Sequence, residues 1–245
     1  MRKFFVKSNQ IHDKIIDIIG EDVNHIKNVL RLEKNEIIKI CDSDNSINYI
    51  CEINELNKES VKCNIIETAE NEAEGKVKLD IYQGLPKADK MELIIQKGTE
   101  LGVSKFIPTK FDRCIVKLEG KDEIKKIERW QKISEVAAKQ SGRDLIPEIG
   151  KITTLNQINI NEYDLVILAY EEEKENTIKN ELKRLNLKDN LKIAIIIGPE
   201  GGIAPKEVEI LKEKGAKIVT LGNRILRTET VALYVASVIM YELEM

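Results

Sequence analysis

An α/β protein with a mostly parallel sheet, preceded by a small β barrel or sandwich, is the fold class this sequence predicts. Three observations predict it: short β-branched segments between turn clusters up to residue 66, alternating strands and helices beyond residue 76, and an acidic, weakly apolar stretch over residues 68–76. The 245 residues, 42% hydrophobic and 33% charged, suffice for one or two cores and exclude disordered, collagen-like and fibrous classes. No uncharged apolar run reaches the roughly 18 to 20 residues of a membrane span, and residues 1–10 lack a signal-type apolar core, so a cytoplasmic protein is expected.

In the first part, strands are expected at residues 4–6, 36–41, 47–53 and 60–66, with the turn cluster Asp42-Ser43-Asp44-Asn45 among them. Apolar Ile26, Val29 and Leu30 within His25-Ile26-Lys27-Asn28-Val29-Leu30-Arg31 predict one or two helical turns, and Asn35 suits a left-handed turn. The domain division is therefore 1–70 and 76–245. In the second part, residues 77–83 alternate apolar with polar, and Gly84-Leu85-Pro86 turns into a helix from about residue 87 to 101, stopped by Gly102. Further strands are expected at 105–108, 164–170, 193–197 and 217–221; the third is apolar on both faces, as a covered parallel strand requires.

A helix over 121–141 places Lys125, Arg129, Lys132 and Lys139 on one stripe and Ile124, Ile127, Trp130, Ile133 and Ala137 on the other. On this pattern alone a solvated face explains such a stripe better than an RNA contact does, since Lys-rich outer faces are routine. The net charge of −3 hides excesses of −5 over residues 1–75, +5 over 76–151 and −3 over 152–245, so a phosphate-bearing partner would be met mainly by the middle segment. In the chain-terminal helix, positions 230–241 carry no charge; such a helix is buried in its own core or against a second copy, and a homodimer is expected.

Cys41, Cys51, Cys63 and Cys114 stand far apart without a C-x-x-C pair, so neither a zinc cluster nor a redox motif is written, and no metal is expected. Both histidines, His12 and His25, lie near the N-terminus. Chemistry in the C-terminal part must therefore run on carboxylates, guanidinium, hydroxyls, backbone or a cofactor.

Two glycine loops are the sharpest features. Gly198-Pro199-Glu200-Gly201-Gly202 follows the most apolar strand and leads into a helix with Pro205 in its first turn and Gly215 past its end. It is neither the dinucleotide fingerprint nor a P-loop, and Glu200 would repel a phosphate, so a cationic or neutral ligand fits better. The second, Leu221-Gly222-Asn223-Arg224-Ile225-Leu226-Arg227-Thr228-Glu229-Thr230, repeats the strand, glycine, helix arrangement. Each is compatible with a simple tight turn; together they should emerge at one carboxyl edge of the sheet and form a cleft.

These stretches, with Arg2-Lys3-Phe4-Phe5-Val6, the His25 to Arg31 segment, K-M-E-L-I-I-Q-K-G-T-E-L-G over 90–102, Arg113-Cys114-Ile115-Val116-Lys117 and Gln140-Ser141-Gly142-Arg143, resemble the ribosomal small-subunit methyltransferase E family of the SPOUT class, over essentially the whole chain. Asn35 stands where that family usually has glycine, a swap that a left-handed turn accepts.

The resemblance implies a PUA-like RNA-binding β barrel over 1–70 and, over 76–245, a methyltransferase domain with a deep trefoil knot. It implies S-adenosylmethionine as cofactor, 16S rRNA or the small subunit as partner, homodimerisation through the C-terminal domain, and methylation of N3 of a uridine in the decoding region, within ribosome biogenesis. Leu168, Ala169, Gly198, Pro199, Glu200, Gly201, Gly202, Leu221, Gly222, Ile225, Leu226 and Arg227 are the expected cofactor residues. Glu229 is the candidate proton acceptor, with Arg113 and Arg143 holding phosphate or charge on the uracil oxygens. Holding Arg227 or capping the last helix is an equal role for Glu229. Arg2, His25, Arg31, Arg129 and Lys132 are candidate RNA contacts, with a surface salt bridge or a satisfied histidine as the alternative for the first three. Two other readings are a SPOUT enzyme acting on another RNA, such as a tRNA ribose 2′-hydroxyl, and a non-catalytic ribosome-assembly protein.

Overall fold

The computed structural model describes residues 1–186 and 188–244. The chain divides into two compact units, residues 1–74 with 138–146, and residues 75–137 with 147–245. The short return of residues 138–146 to the first unit escapes any linear division of the sequence.

In the first unit, β1 (Lys3–Val6), β2 (Ile11–His12), β3 (Ile15–Ile19), β4 (Ile37–Asp42), β5 (Ile47–Leu56) and β6 (Ser60–Ala69) form one sheet in the order β1-β4-β5-β6-β3-β2. The β1–β4 pairing is parallel and the others are antiparallel. Alternation explains the core, since Ile16 and Ile18 of β3 are buried while Ile15 and Ile19 face out. The β2–β3 hairpin was not expected; its turn uses Asp13 at φ 51°, a conformation that aspartate tolerates.

Between β3 and β4 lies one α-turn, α1 (Glu21–Asn24), continued by a wider π turn over His25–Val29. Closure there runs from the Leu30 amide to the His25 carbonyl at 2.8 Å. The extra residue shifts the phase, so Ile26 is buried while Val29, expected beside it, is 62% exposed. Asn35 takes the expected left-handed turn at φ 70°.

The second unit holds a parallel sheet of β7 (Val77–Gly84), β8 (Lys105–Lys110), β9 (Glu148–Ile149), β10 (Thr153–Thr154), β11 (Leu165–Ala169), β12 (Leu191–Ile197) and β13 (Lys217–Val219). Its order is β10-β8-β7-β12-β11-β13, with β9 also on β8. Period-two alternation splits β12 between two cores: Ile193, Ile195 and Ile197 pack in one, Ala194 and Ile196 in the other.

The helices are α2 (Lys90–Glu100), α3 (Gly120–Ser141), α4 (Ile178–Arg184), α5 (Pro205–Lys214) and α6 (Thr228–Glu244). Helix α2 starts later than expected because Ala88 sits at φ 53°. On α3, Trp130 and Ala137 are buried as expected, but Ile124 is 58% exposed at the first turns. Gly215 ends α5 at φ 112°, where a side chain would be strained. Helix α6 buries Ala232, Val235, Ala236, Ile239 and Met240 yet leaves Tyr234 and Tyr241 exposed. Among the described residues, no helix is long and apolar enough to cross a membrane.

Candidate functional site

A cavity of about 450 Å³ opens where β11, β12 and β13 end, and both glycine loops line it. Its size falls within the roughly 300–1,000 Å³ of small-molecule sites. Parallel strand order explains why the loops meet: β12 and β13 flank β11, and all three deliver their carboxyl ends to one edge.

The first loop is pinned by close packing and by polar ties. Gly202 turns at φ 70° and donates its amide to the Pro199 carbonyl at 2.9 Å. A side chain at Gly198 would meet Ile203 Cγ1 at 2.6 Å, so only glycine lets this strand end lie against the loop. The Thr228 hydroxyl donates to the Gly198 carbonyl at 2.7 Å and accepts from the buried Gln83 amide at 2.8 Å. That chain of bonds ties β7, the glycine loop and the start of α6 together beneath the cavity.

Of the expected cofactor residues, Ala169, Gly198, Pro199, Glu200, Gly202, Leu221, Gly222, Ile225, Leu226 and Arg227 line the cavity. Leu168 is fully buried in the core instead, and Gly201 lies against the backbone and Cβ of Arg113. Arg113 donates to the Gly201 carbonyl at 3.2 Å, which makes it a brace of the loop. The negative charge of Glu200 is paired within the structure. Its Oε1 accepts the Lys87 amide at 3.0 Å and the Lys90 ammonium at 2.9 Å. Burial pushes the Glu200 carboxyl up, but Lys90 and backbone donors outweigh it and hold the group below its ordinary value. The Lys90 ammonium is held up chiefly by Glu200.

Glu229, in the first turn of α6, lies with Oε2 3.3 Å from Lys90 Nζ, its side chain 15% exposed. It borders a second, open groove of about 530 Å³ on α2 and α6, whose apolar walls include Leu93, Leu233, Tyr234 and Tyr241. Arg143 is not among the cavity residues. It belongs to the first unit, 4% exposed, with its guanidinium bonded twice to the Glu74 carboxylate. The catalytic part expected for Arg143 therefore gains no support from its surroundings.

Among the expected RNA contacts, Arg2, His25 and Arg31 gather at one turn of the first unit. Arg2 reaches the Leu30 carbonyl at 3.4 Å, His25 packs edge-on against Phe4, and Arg31 is exposed at φ 52°. Lys132 is exposed on α3, as is Arg129, which pairs with Glu92 at 2.8 Å. Sequence reasoning missed Lys90, Tyr170, Glu171, Lys174 and Arg224 as cavity residues. Lys90 lay within a stretch already singled out, and Tyr170 to Lys174 follow a strand whose end shares the loops' edge. All four cysteines are free, and burial pushes the Cys51 and Cys63 thiols up to about 12, which keeps them protonated.

Residues 73–240 match the family described as RNA methyltransferase domain, and residues 18–66 match the RNA methyltransferase PUA domain. Ribosomal RNA small subunit methyltransferase E of Bacillus subtilis is 38% identical, the alignment covering 100% of this chain and 98% of that protein. Among solved structures, the Neisseria gonorrhoeae protein of the same name, bound to S-adenosyl methionine, superposes with a TM-score of 0.83 at 27% identity, covering 98% of this chain and 97% of that one. A methyltransferase structure from Legionella pneumophila, in complex with the bound cofactor, gives 0.82 at 28% identity over 98% and 96% of the two chains.

Proposed function

Because the chain belongs to the ribosomal RNA small subunit methyltransferase E family, we propose that it methylates N3 of a uridine in the decoding region of 16S rRNA, using S-adenosylmethionine bound between its two glycine loops. The observation that carries this reading is the single cavity lined by both loops. The cavity's chemistry fits that cofactor. Gly198, Gly202 and Gly222 leave peptide groups within reach of an adenine and ribose. Ile197, Ile203, Leu226 and Val231 form an apolar wall, and Glu171 and Arg227 supply opposite charges for an amino-acid moiety.

When bound, the cofactor supplies an electrophilic methyl group on a sulfonium. The chain's part is to position and to exclude water: the wall desolvates the reacting centre, and the ties through Thr228 and Gln83 hold the loop rigid. N3 of uridine carries a proton that must leave, and Glu229 is its acceptor, directly or through one water. Arg113 braces the loop from behind. Arg2, His25 and Arg31 on the PUA-like domain, with Arg129 and Lys132 on α3, contact the RNA backbone.

The groove along α2 and α6 docks a second copy of the chain. Leu93 of α2 is 42% exposed there, and Tyr234 and Tyr241 of α6 are 42% and 66% exposed, on a helix without charge through residues 230–241. The backbone through the two loops forms the family's trefoil knot, and the enzyme works in the cytoplasm on the small ribosomal subunit.

The test is mass-spectrometric mapping of modified nucleosides in small-subunit rRNA from cells lacking the gene and from complemented cells. One N3-methyluridine should vanish and return. A loss of a ribose 2′-O-methyl mark, or no change, overturns the reading.

A further inference from the structure

Three charged side chains meet between the cofactor cavity and the α2–α6 groove. Lys90 Nζ, from the first turn of α2, lies 2.9 Å from Glu200 Oε1 on the glycine loop and 3.3 Å from Glu229 Oε2 on α6. All are partly withdrawn from water, with side-chain exposures of 26%, 26% and 15% for Lys90, Glu200 and Glu229. Arg227 lines the cavity two residues before Glu229, and the groove beside Glu229 presents Leu93, Thr230, Leu233 and the phenols of Tyr234 and Tyr241. Lys90 thus lies within salt-bridge distance of both carboxylates.

The geometry points to Lys90 as a positioning residue for methyl transfer: its ammonium, set between Glu200 of the cofactor loop and Glu229 of α6, holds the Glu229 carboxylate beside that loop, where it accepts the uridine N3 proton. This rests on the function proposed above and adds to it the group that sets the place of the acceptor. The balance of the step explains the need. The N3–H bond breaks and its proton goes to a Glu229 oxygen; the N3–carbon bond forms while the sulfur–carbon bond breaks, its electron pair staying on sulfur. A proton is thus released for each methyl moved, so its acceptor must stand where N3 is methylated.

Without Lys90, Glu200 and Glu229 would share a poorly solvated place with no cation between them, and like charges so placed repel each other. An ammonium 2.9 Å from Glu200 and 3.3 Å from Glu229 attracts both carboxylates, whereas a neutral side chain of the same length attracts neither. The Lys90 ammonium, held up first by Glu200, stays charged through the working pH range. Because Glu200 stands in the loop that lines the cavity, the same contact holds Glu229 beside that loop.

The experiment compares wild type, Lys90→Met and Lys90→Arg. Three quantities are read: single-turnover rate at saturating cofactor, calorimetric cofactor affinity, and the same rate in the Glu229→Gln background. Lys90→Met should lower the rate at saturating cofactor about tenfold or more, and that loss should vanish in the Glu229→Gln background, where no acceptor is left to position. Lys90→Arg should restore most of the rate. An active wild type matched by Lys90→Met in rate overturns this inference alone, as does a loss that persists undiminished in the Glu229→Gln background or one explained wholly by weaker cofactor binding. A wild type that binds cofactor but methylates no small-subunit RNA overturns the proposed function and this inference with it.

Discussion

Replacing Gly198 with alanine adds one methyl group where the end of β12 lies against the glycine loop. The new carbon would stand 2.6 Å from Ile203 Cγ1 and 3.3 Å from Ile203 Cδ1 and the Gly202 carbonyl carbon. Carbon atoms prefer separations of about 3.5–4.0 Å, so about 1 Å must be absorbed. Ile203 is 1% exposed and packs with Leu168 and Ile196, which leaves it little room. Either the core shifts or the loop does. Overpacking of this kind costs about 1–3 kcal/mol, which lowers the melting temperature by roughly 2–4 °C per kcal/mol in a chain of this size. The part of that strain taken up by the loop weakens cofactor binding, about tenfold for each 1.4 kcal/mol.

Urea unfolding followed by the fluorescence of Trp130, the only tryptophan and buried in the same unit, reads the first quantity, and calorimetry with S-adenosylmethionine reads the second. Ile203→Ala removes both clashing atoms. In a double-mutant cycle, Gly198→Ala should therefore cost less in the Ile203→Ala background, by roughly 1 kcal/mol or more. Simple additivity, or wild-type stability and affinity in Gly198→Ala, would refute the packing argument.

Glu229→Gln should reduce the rate about a hundredfold with cofactor affinity unchanged, measured by single turnover beside calorimetry. Arg143→Met should destabilise the protein by about 2 kcal/mol in calorimetric melting, because it removes the buried guanidinium and leaves the Glu74 carboxylate to the Asp144 and Leu145 amides. The buried Asp144 carboxyl is pushed up by burial but held down more strongly by Lys3, the Ala73 amide and Asn48, to about 2. With its folded value below its unfolded one, it contributes roughly 2.5 kcal/mol above about pH 5 that is lost as pH falls towards 2. The stability gap between wild type and Asp144→Asn should shrink by that amount over this range in urea titrations. Arg129→Glu with Lys132→Glu should lower the salt slope of RNA binding by about 1 per lost phosphate contact; an unchanged slope makes the α3 stripe ordinary surface.

Much of the second unit was legible because strands and helices leave periodic traces. The apolar run of β12, the stop at Gly102 and the Pro205 and Gly215 boundaries of α5 are local signals, and the structure follows them. The π turn at His25–Val29 was not legible, since one inserted residue rotates Val29 outwards without altering the apolar pattern. Nor was the β2–β3 hairpin, whose first strand is only two residues long.

For the candidate site, sequence alone determined the two glycine loops, their glycine positions, and the expectation that they share one sheet edge, because backbone freedom and strand–loop–helix order are properties of neighbouring residues. Tertiary structure alone decided the partners: Lys90 between Glu200 and Glu229, Arg113 behind Gly201, and Arg143 locked onto Glu74. Those pairings join residues far apart in the chain. Their distances depend on how strands order themselves in each sheet and where loops return, and no periodicity within a few residues encodes that.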